Sequence, residues 1–298
     1  MIFLVGASGY VGGRLLDRLQ AQRPKVRCLS RTPELLKKRV TSGTEIVRGD
    51  LLDADTLLSP MQGMETAYYL AHFLDAGKEF QKTELRAAEN FAQAARISGV
   101  KRIIYLGGLG DEATDLSPHL YTRQEVGRIL RASGVQTIEF RASIIIGKGS
   151  FSFEFIRKLV DRMPVMIAPA WVEQITQPIA VDDVLRYLMG ALYLETMESE
   201  IFEIGGADQL SYAELLQEYA AQAGKSRLLF ELPVPTPFKH LSDLWIHDYA
   251  PSQATVGLRL IESMQHPTIV RTPRAKQLFG FEPLGMEEAI RLALADRD

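Results

Sequence analysis

The chain predicts a doubly wound α/β sheet, parallel and covered by helices on both faces, followed by a smaller region of mixed structure. Three observations carry this. Short apolar runs alternate with segments whose apolar residues recur at helical spacing over the first half of the chain. Five of the runs are separated by such helices, which is how parallel strands are joined. Beyond about residue 150 the alternation loses its regularity.

The elements follow in order. Residues 2–5, Ile-Phe-Leu-Val, form a short strand, and residues 10–20 set Val11, Leu15, Leu16 and Leu19 on one helical face. Residues 25–29 are a second strand, followed by a polar turn and a short helix near 33–39. Residues 44–47 are a third strand closed by Gly49-Asp50, and 53–61 read as a helix. The aromatic-rich run 66–70 is a fourth strand; 82–98 is a long amphipathic helix that stops at Gly99. The fifth strand, 100–106, ends at Gly107-Gly108. A helix is expected near 126–133, then a strand over 136–141 with 144–146 just beyond. In the second half, 151–163 is helical, 165–169 and 171–177 are mixed, and 182–194 is a helix. A strand over 201–204 precedes Gly205-Gly206, and 212–223 is a helix. Prolines at 233, 235, 237 and 251 mark 231–255 as a loop-rich cap, and 273–295 carries two short helices around Gly280-Phe281-Glu282-Pro283.

With 298 residues, 46% of them hydrophobic and 24% charged, the chain can bury one large or two modest cores. Its net charge of −3 supplies no positive field to draw it to nucleic acid or an anionic membrane, so neither is an expected partner. The single cysteine, Cys28, cannot form an internal disulfide and suits a reducing compartment. Its apolar neighbours make it a buried core residue rather than a catalytic thiol. Met1-Ile2-Phe3-Leu4-Val5 runs straight into glycine without the basic start and cleavage site of a signal peptide. No apolar run reaches the ~18 residues of a membrane span. A cytoplasmic location is therefore expected. The five histidines are scattered without ligand spacing, so no metal site is expected.

The first strand leads into Gly6-Ala7-Ser8-Gly9-Tyr10-Val11-Gly12, which opens a helix. Gly6 permits a tight turn, Gly9 lets backbone N–H groups approach a pyrophosphate, and Gly12 allows close packing of helix on strand. The helix N-terminus adds unpaired donors and a positive dipole end. In this context the loop predicts a Rossmann-type sheet that binds a dinucleotide; the alternative is merely a tight turn. The residue after the second strand meets the adenosine ribose, where an acid selects NAD and an arginine accommodates the phosphate of NADP. Here the strand ends Cys28-Leu29-Ser30-Arg31-Thr32-Pro33, without an acid. Ser30 and Arg31 point to NADP, with NAD as the alternative if Arg31 is only a solvated charge. Asp50 and Leu51 are placed for the adenine edge, and Leu70, Ala71 and His72 for the adenosine and ribose side. His72 could equally line the substrate pocket or pack.

These residues resemble the extended and atypical short-chain dehydrogenase/reductases. Further matches are Asn90 within Ala87-Ala88-Glu89-Asn90-Phe91, the run Gly99-Val100-Lys101-Arg102-Ile103-Ile104-Tyr105, Gln177-Pro178-Ile179-Ala180-Val181-Asp182-Asp183-Val184, and Glu203-Ile204-Gly205-Gly206. The similarity is greatest to the atypical subgroup of NmrA-like, epimerase-like and complex I subunit-like proteins. It implies an NAD(P)-binding domain over 1–148 plus 176–206 and a smaller substrate-side region over 149–175 plus 207–298. It also implies that Leu106, Gly107, Gly108, Arg123, Ala142 and Ile144 border the cofactor.

Such enzymes use a tyrosine, a lysine four residues later and a serine after the fifth strand. The corresponding region here is Ser117-Pro118-His119-Leu120-Tyr121-Thr122-Arg123-Gln124-Glu125, with no Tyr-x-x-x-Lys. Tyr121 is followed at that spacing by Glu125, which would raise its pKa. The better register puts His119 at the tyrosine and Arg123 at the lysine, and Leu106-Gly107-Gly108-Leu109 supplies no hydroxyl. His119 is then the candidate proton donor and Arg123 a fixed cation for ribose hydroxyls; His119 could instead merely cap or pack. The loop Arg141-Ala142-Ser143-Ile144-Ile145-Ile146-Gly147 is nearly all apolar, with Ser143 its one hydroxyl. Phe151, Phe153, Phe155, Met163, Met166 and Trp171 read first as core and second as pocket. Lys148, Arg157 and Lys158 are too scattered for a sugar nucleotide.

The expected function is an NADP-dependent oxidoreductase on an apolar carbonyl or quinone-like ligand, lacking the usual Tyr/Lys/Ser set. A non-catalytic NADP(H)-binding redox sensor or assembly factor with a protein partner is the alternative, and a nucleotide-sugar epimerase or dehydratase the third. The chain is expected as a monomer or homodimer: the helix over 82–98 could pair between copies or simply cover the sheet.

Overall fold

The computed structural model describes residues 1–22, 25–73, 76–112, 114–168, 170–231 and 254–295. In chain order the strands are β1 (Ile2–Val5), β2 (Val26–Ser30), β3 (Thr44–Arg48), β4 (Thr66–Tyr69), β5 (Arg102–Gly108), β6 (Gln136–Ala142), β7 (Ile145–Ile146), β8 (Val165–Ala168), β9 (Ile175–Thr176), β10 (Ile179–Ala180), β11 (Glu200–Ile204), β12 (Leu210–Ser211) and β13 (Leu228–Glu231). The helices are α1 (Tyr10–Gln22), α2 (Pro33–Leu36), α3 (Leu58–Met61), α4 (Phe80–Ile97), α5 (Pro118–Ala132), α6 (Phe151–Arg162), α7 (Val181–Gly190) and α8 (Tyr212–Gln222), followed by helices Ala254–Met264, Arg274–Phe279 and Met286–Ala295.

Seven strands form the central parallel sheet in the order β11-β6-β5-β4-β1-β2-β3. The doubly wound order reverses at β1, which pairs in parallel with β2 on one side and β4 on the other, Val5 lying opposite both Leu29 and Tyr69. Such a reversal opens a crevice at the carboxyl ends of the strands. All four residues of β1 are buried, as strands covered on both faces must be. The long helix α4 turns Ala87, Ala88, Phe91, Ala94 and Ala95 into this core, where Phe91 meets the Tyr69 ring edge-on at 4.9 Å. Its apolar face therefore covers the sheet.

The chain divides into two compact units. One comprises Met1–Gly108, Thr122–Arg141 and Leu185–Phe202; the other comprises Leu109–Tyr121, Ala142–Val184 and Glu203–Asp298. In the second, β7 pairs with β10, β8 with β13, and β9 antiparallel with β12. Its core gathers Phe153, Phe155, Met163, Met166 and Trp171 with Tyr212 and Tyr219, so the aromatic and methionine stripe packs as core. Helix α8 starts in a capping box: the Ser211 hydroxyl accepts from the Glu214 amide while the Glu214 carboxylate accepts from the Ser211 amide.

Several elements differ from expectation. Helix α5 starts at Pro118, a full two turns before the expected 126. Proline suits the first helical position. The early turns bury Thr122, Arg123 and Gln124 with Leu120 as their one apolar residue in the core, so no apolar periodicity announced them. The single helix expected over 53–61 is a 3₁₀ turn, Ala54–Thr56, followed by α3. Pro60 has no N–H to continue an α-helical ladder from Thr56, and Thr56 and Leu57 instead bond three residues back, to Asp53 and Ala54. Helix α7 stops at Gly190 rather than 194. Strand β13 and helix Ala254–Met264 were not anticipated, and 232–253, nearly all of the expected cap, lies outside the described residues.

Candidate functional site

The turn after β1 is built by glycine. Gly6 has φ +91°, in the left-handed region, and a Cβ there would stand 2.5 Å from the Leu70 carbonyl oxygen. The Gly9 amide donates to the Gly6 oxygen (2.9 Å) and the Gly13 amide to the Gly9 oxygen (2.9 Å), which swings the chain directly into α1. A Cβ on Gly12 would be driven into the Gly6 carbonyl. Gly9 is different: it is exposed, and among the described residues its Cβ would meet only the Gly6 oxygen, at 3.2 Å. Gly9 thus stands exposed beside the first-turn amides of α1, which have no partner within the helix. No acidic side chain occupies that first turn. First-turn amides and a positive helix end beside an exposed glycine fit the pyrophosphate of a dinucleotide. Ser8 is exposed and Tyr10 and Val11 are half-buried around the cradle, with the Arg14 guanidinium 5.1 Å from the Tyr10 ring centre.

At the end of β2, Ser30 is buried and its hydroxyl accepts from the Thr32 amide (3.1 Å). Arg31 is exposed. Its carbonyl accepts from Arg48 (2.9 Å), whose guanidinium also pairs with Glu34 (3.0 Å). Arg48 stands opposite Ser30 in the β2–β3 register, a second arginine at this corner that sequence reasoning passed over because it read β3 as ending at Val47. Asp50 holds its own turn, its carboxylate accepting from the Leu52 amide (3.0 Å). Leu51 is buried, and its carbonyl accepts from the Asn90 side chain (2.8 Å). That bond ties α4 to the strand end.

Leu70, Ala71 and His72 follow β4, and the Leu70 amide donates to the Val5 carbonyl (3.1 Å). Here the structure assembles a buried charge cluster. The Arg123 guanidinium donates to Glu84 Oε1 (2.6 Å), to the Ala71 carbonyl (3.5 Å) and to the Leu106 carbonyl. His72 Nδ1 lies 3.2 Å from the same Glu84 oxygen. Arg123 also sits 4.9 Å over the Tyr105 ring, while the Tyr105 hydroxyl donates to the Arg123 carbonyl (2.7 Å). Burial alone would raise the Glu84 pKa; the Arg123 charge and the hydrogen bond from His72 outweigh it and bring it from 4.5 to about 2. Burial pushes the Tyr69 and Tyr105 hydroxyls upward, so both stay protonated. Among the described residues, Glu84 Oε2 and the Tyr69 hydroxyl are buried without a hydrogen-bond partner. Arg123 is thus held in place by a carboxylate that the sequence reading missed. The signal was present: Glu84 shares a helical face with the apolar Ala87, Ala88, Phe91 and Ala95, and a carboxylate on such a face needs a buried partner.

Tyr121 is 52% exposed, and Glu125, expected to act on it, is engaged by Arg128 (2.7 Å). Gly107 is buried, and a side chain there would meet the Tyr105 ring at 3.0 Å, which accounts for the absence of a serine. Leu106 is buried and Gly108 half-buried.

In the second unit His119 is buried, with Nδ1 3.0 Å from the Ser263 hydroxyl. Ala142 and Ile144 are buried, and their carbonyls accept from the Leu109 and Ile179 amides (each 2.9 Å). Ser143 joins Thr176 (2.6 Å) and Thr268 (2.7 Å) in a ring of hydroxyls. Among the described residues no group of three or more His, Cys, Asp or Glu could hold a metal ion. None of their helices is long and apolar enough to cross a membrane.

The strand order and the glycine cradle define an NAD(P)-binding Rossmann domain. In agreement, the NAD(P)H-binding family matches residues 6–145. A 4-hydroxy-2-methyl-3-oxo-4-farnesyl-3,4-dihydroquinoline-1-oxide ketoreductase of Stigmatella aurantiaca is 30% identical over 107 residues, 35% of this chain and 32% of that protein. A 3 beta-hydroxysteroid dehydrogenase/Delta 5-->4-isomerase of Mycobacterium tuberculosis is 28% identical over 190 residues, 54% of this chain and 50% of that protein. The chain thus spans about a third of one of these curated relatives and half of the other. Among solved structures, the triphenylmethane reductase of Citrobacter sp., complexed with NADP(H), superposes with a TM-score of 0.80 at 16% identity, covering 98% of this chain and 100% of that one. At that identity the likeness is one of fold.

Proposed function

We propose that the chain is an NADP-dependent oxidoreductase acting on an apolar carbonyl or quinone-like ligand, with NAD as the lesser dinucleotide and without the Tyr/Lys/Ser catalytic set. One observation carries it: the glycine loop after β1 lies one strand away from a corner that offers Ser30 and the exposed Arg31, with Arg48 beside them in its pair with Glu34. Two arginines beside a hydroxyl suit a ribose phosphate. The bound dinucleotide supplies the hydride. The chain's own part is to hold the phosphates at α1 and the ribose corner, to keep Arg123 as a fixed positive charge, and to offer His119 for proton exchange. The apolar ligand is supported by the ketoreductase and hydroxysteroid dehydrogenase among the relatives.

The test is calorimetric titration with NADPH and NADH. Wild type should prefer NADPH, Arg31→Ala should remove most of that preference, and Gly9→Ala should weaken both dinucleotides by about 10-fold or more, roughly 1.4 kcal/mol. NADPH oxidation over a panel of apolar ketones and quinones should then fall in His119→Ala. Binding of neither dinucleotide by folded protein would overturn the proposal.

A non-catalytic NADP(H) sensor or assembly factor is favoured by one specific observation. Glu84 and the Leu106 carbonyl already occupy the guanidinium that stands where a catalytic lysine would. This reading expects tight NADPH binding with no turnover of any member of the panel.

A further inference from the structure

We propose that the core of the first unit binds one water molecule between the Tyr69 hydroxyl and Glu84 Oε2, and that through it Tyr69 is a positioning residue for the Glu84–Arg123 pair. The site lies wholly within that unit and stands whether or not the chain is an oxidoreductase.

Sheet and helix bring the two groups together. Tyr69 and Tyr105 are register partners on β4 and β5, with their rings 6.0 Å apart, so both side chains leave the sheet on one face. On α4, Glu84 and Phe91 are seven residues apart, about two turns, and so share one side of the helix. Phe91 meets the Tyr69 ring at 4.9 Å. Glu84 holds Arg123 (2.6 Å), whose guanidinium lies 4.9 Å over the Tyr105 ring.

Within this cluster most polar atoms are matched. The Tyr105 hydroxyl donates to the Arg123 carbonyl (2.7 Å), and Glu84 Oε1 serves Arg123 and lies 3.2 Å from His72 Nδ1. Two atoms are left over: among the described residues, the Tyr69 hydroxyl and Glu84 Oε2 are buried with no hydrogen-bond partner. Neither residue has exposed surface. Burial, and after it the Glu84 charge, keeps the Tyr69 hydroxyl protonated, so it has a hydrogen that needs an acceptor. Glu84 stays ionised down to about pH 2, so Oε2 is a charged oxygen that needs a donor. Leaving both unmet is costly in a dry core. A direct bond would serve both, but the two atoms do not make one.

A water molecule accepts from Tyr69 with a lone pair and gives a hydrogen to Oε2, which meets both needs at once. Other occupants meet the charges already there. A metal or ammonium ion would stand against the Arg123 guanidinium, and an anion against the Glu84 carboxylate. A larger neutral molecule has no approach to groups without exposed surface. With water on Oε2 and Arg123 on Oε1, the carboxylate is held at both oxygens and cannot turn about its last bond. That fixes the guanidinium in turn.

The direct test is a crystal structure of the full chain at a resolution that orders buried water. A density peak should lie about 2.6–3.2 Å from both Tyr69 Oη and Glu84 Oε2. No peak, a peak bonded to only one of the two, or a direct Tyr69–Glu84 bond would overturn the proposal. Tyr69→Phe provides a second measurement. Its unfolding constant in urea should rise about 10-fold, the weight of one lost hydrogen bond. A variant as stable as wild type, or more so, would mean that the hydroxyl had no partner to lose. The positioning role has its own readout in the carboxyl-carbon NMR signal of Glu84, assigned with Glu84→Gln. With the bond to the ionised form gone, that signal should begin to titrate at higher pH in Tyr69→Phe than in wild type. An unchanged onset would remove the positioning role, and the wild-type crystal structure decides the water site even if Tyr69→Phe fails to fold.

Discussion

At the scale of single residues, the most consequential side chain is Glu84. It is fully buried, accepts from Arg123 and His72 through one oxygen, and has a pKa brought down to about 2 against 4.5 for a free carboxyl. Because the folded-state pKa lies below the unfolded one, the stability it contributes is complete above pH 4.5 and is lost as the pH falls from there toward 2. The pH-dependent part is roughly 3 kcal/mol. Urea unfolding at stepped pH should show this acid slope in wild type and its absence in Glu84→Gln. That variant should also be less stable at neutral pH by about 3–5 kcal/mol, because Arg123 is left as a buried, uncompensated charge. Equal acid slopes in the two proteins would show that other carboxylates govern the transition. The sequence announced Arg123 through its spacing from His119, which the resemblance to short-chain dehydrogenases made meaningful. The helical face of Glu84 marked it as a buried carboxylate but not which residue it pairs with, and Ser263 left no mark, since each arrives from a distant part of the chain: Glu84 lies 39 residues from Arg123, and Ser263 144 from His119.

At the scale of elements, the glycines of one loop do different work. Gly12 sits where α1 crosses the Gly6 carbonyl, so Gly12→Ala must push the helix off the strand end. It should cost about 1–3 kcal/mol of stability, as overpacking does, and lower dinucleotide affinity with it. Gly9→Ala places its methyl group 3.2 Å from the Gly6 oxygen, a milder contact than at Gly12, and should weaken binding with a smaller fall in the unfolding midpoint. Thermal unfolding of both variants beside the titrations separates the two; equal loss of stability would mean that the loop gives no more readily at Gly9 than at Gly12. The strands and the helix after the loop were legible because buried elements must carry apolar residues at period two or 3.6. Helix α5 was legible only in its second half. Its first turns carry Ser117, His119, Thr122, Arg123 and Gln124 inward, and polar side chains chosen for their partners leave no periodic trace. Paired short strands such as β8–β13 escaped for a related reason, being set by long-range registry between segments more than 60 residues apart rather than by local pattern.

At the scale of the whole molecule, the proposed dinucleotide should act as a stabiliser. A ligand that binds only the folded state at 100 times its Kd raises the unfolding free energy by about 2.7 kcal/mol. Cys28 offers a way to watch this. It lies in β2, two residues before Ser30, with no exposed surface, and burial pushes its thiol up to about 12. Reagents that need a thiolate can reach it only when the strand opens. NADPH at 100 times Kd should therefore slow its labelling about 100-fold, if opening of β2 also opens the cradle; an unchanged rate would mean that β2 frays without disturbing the bound dinucleotide. The same residue has a consequence for handling. Because the chain contains one cysteine, an unfolded molecule has no second thiol of its own to meet. Air oxidation during refolding can produce covalent dimers and nothing larger, and a ladder of higher disulfide-linked species on a non-reducing gel would have to come from another protein.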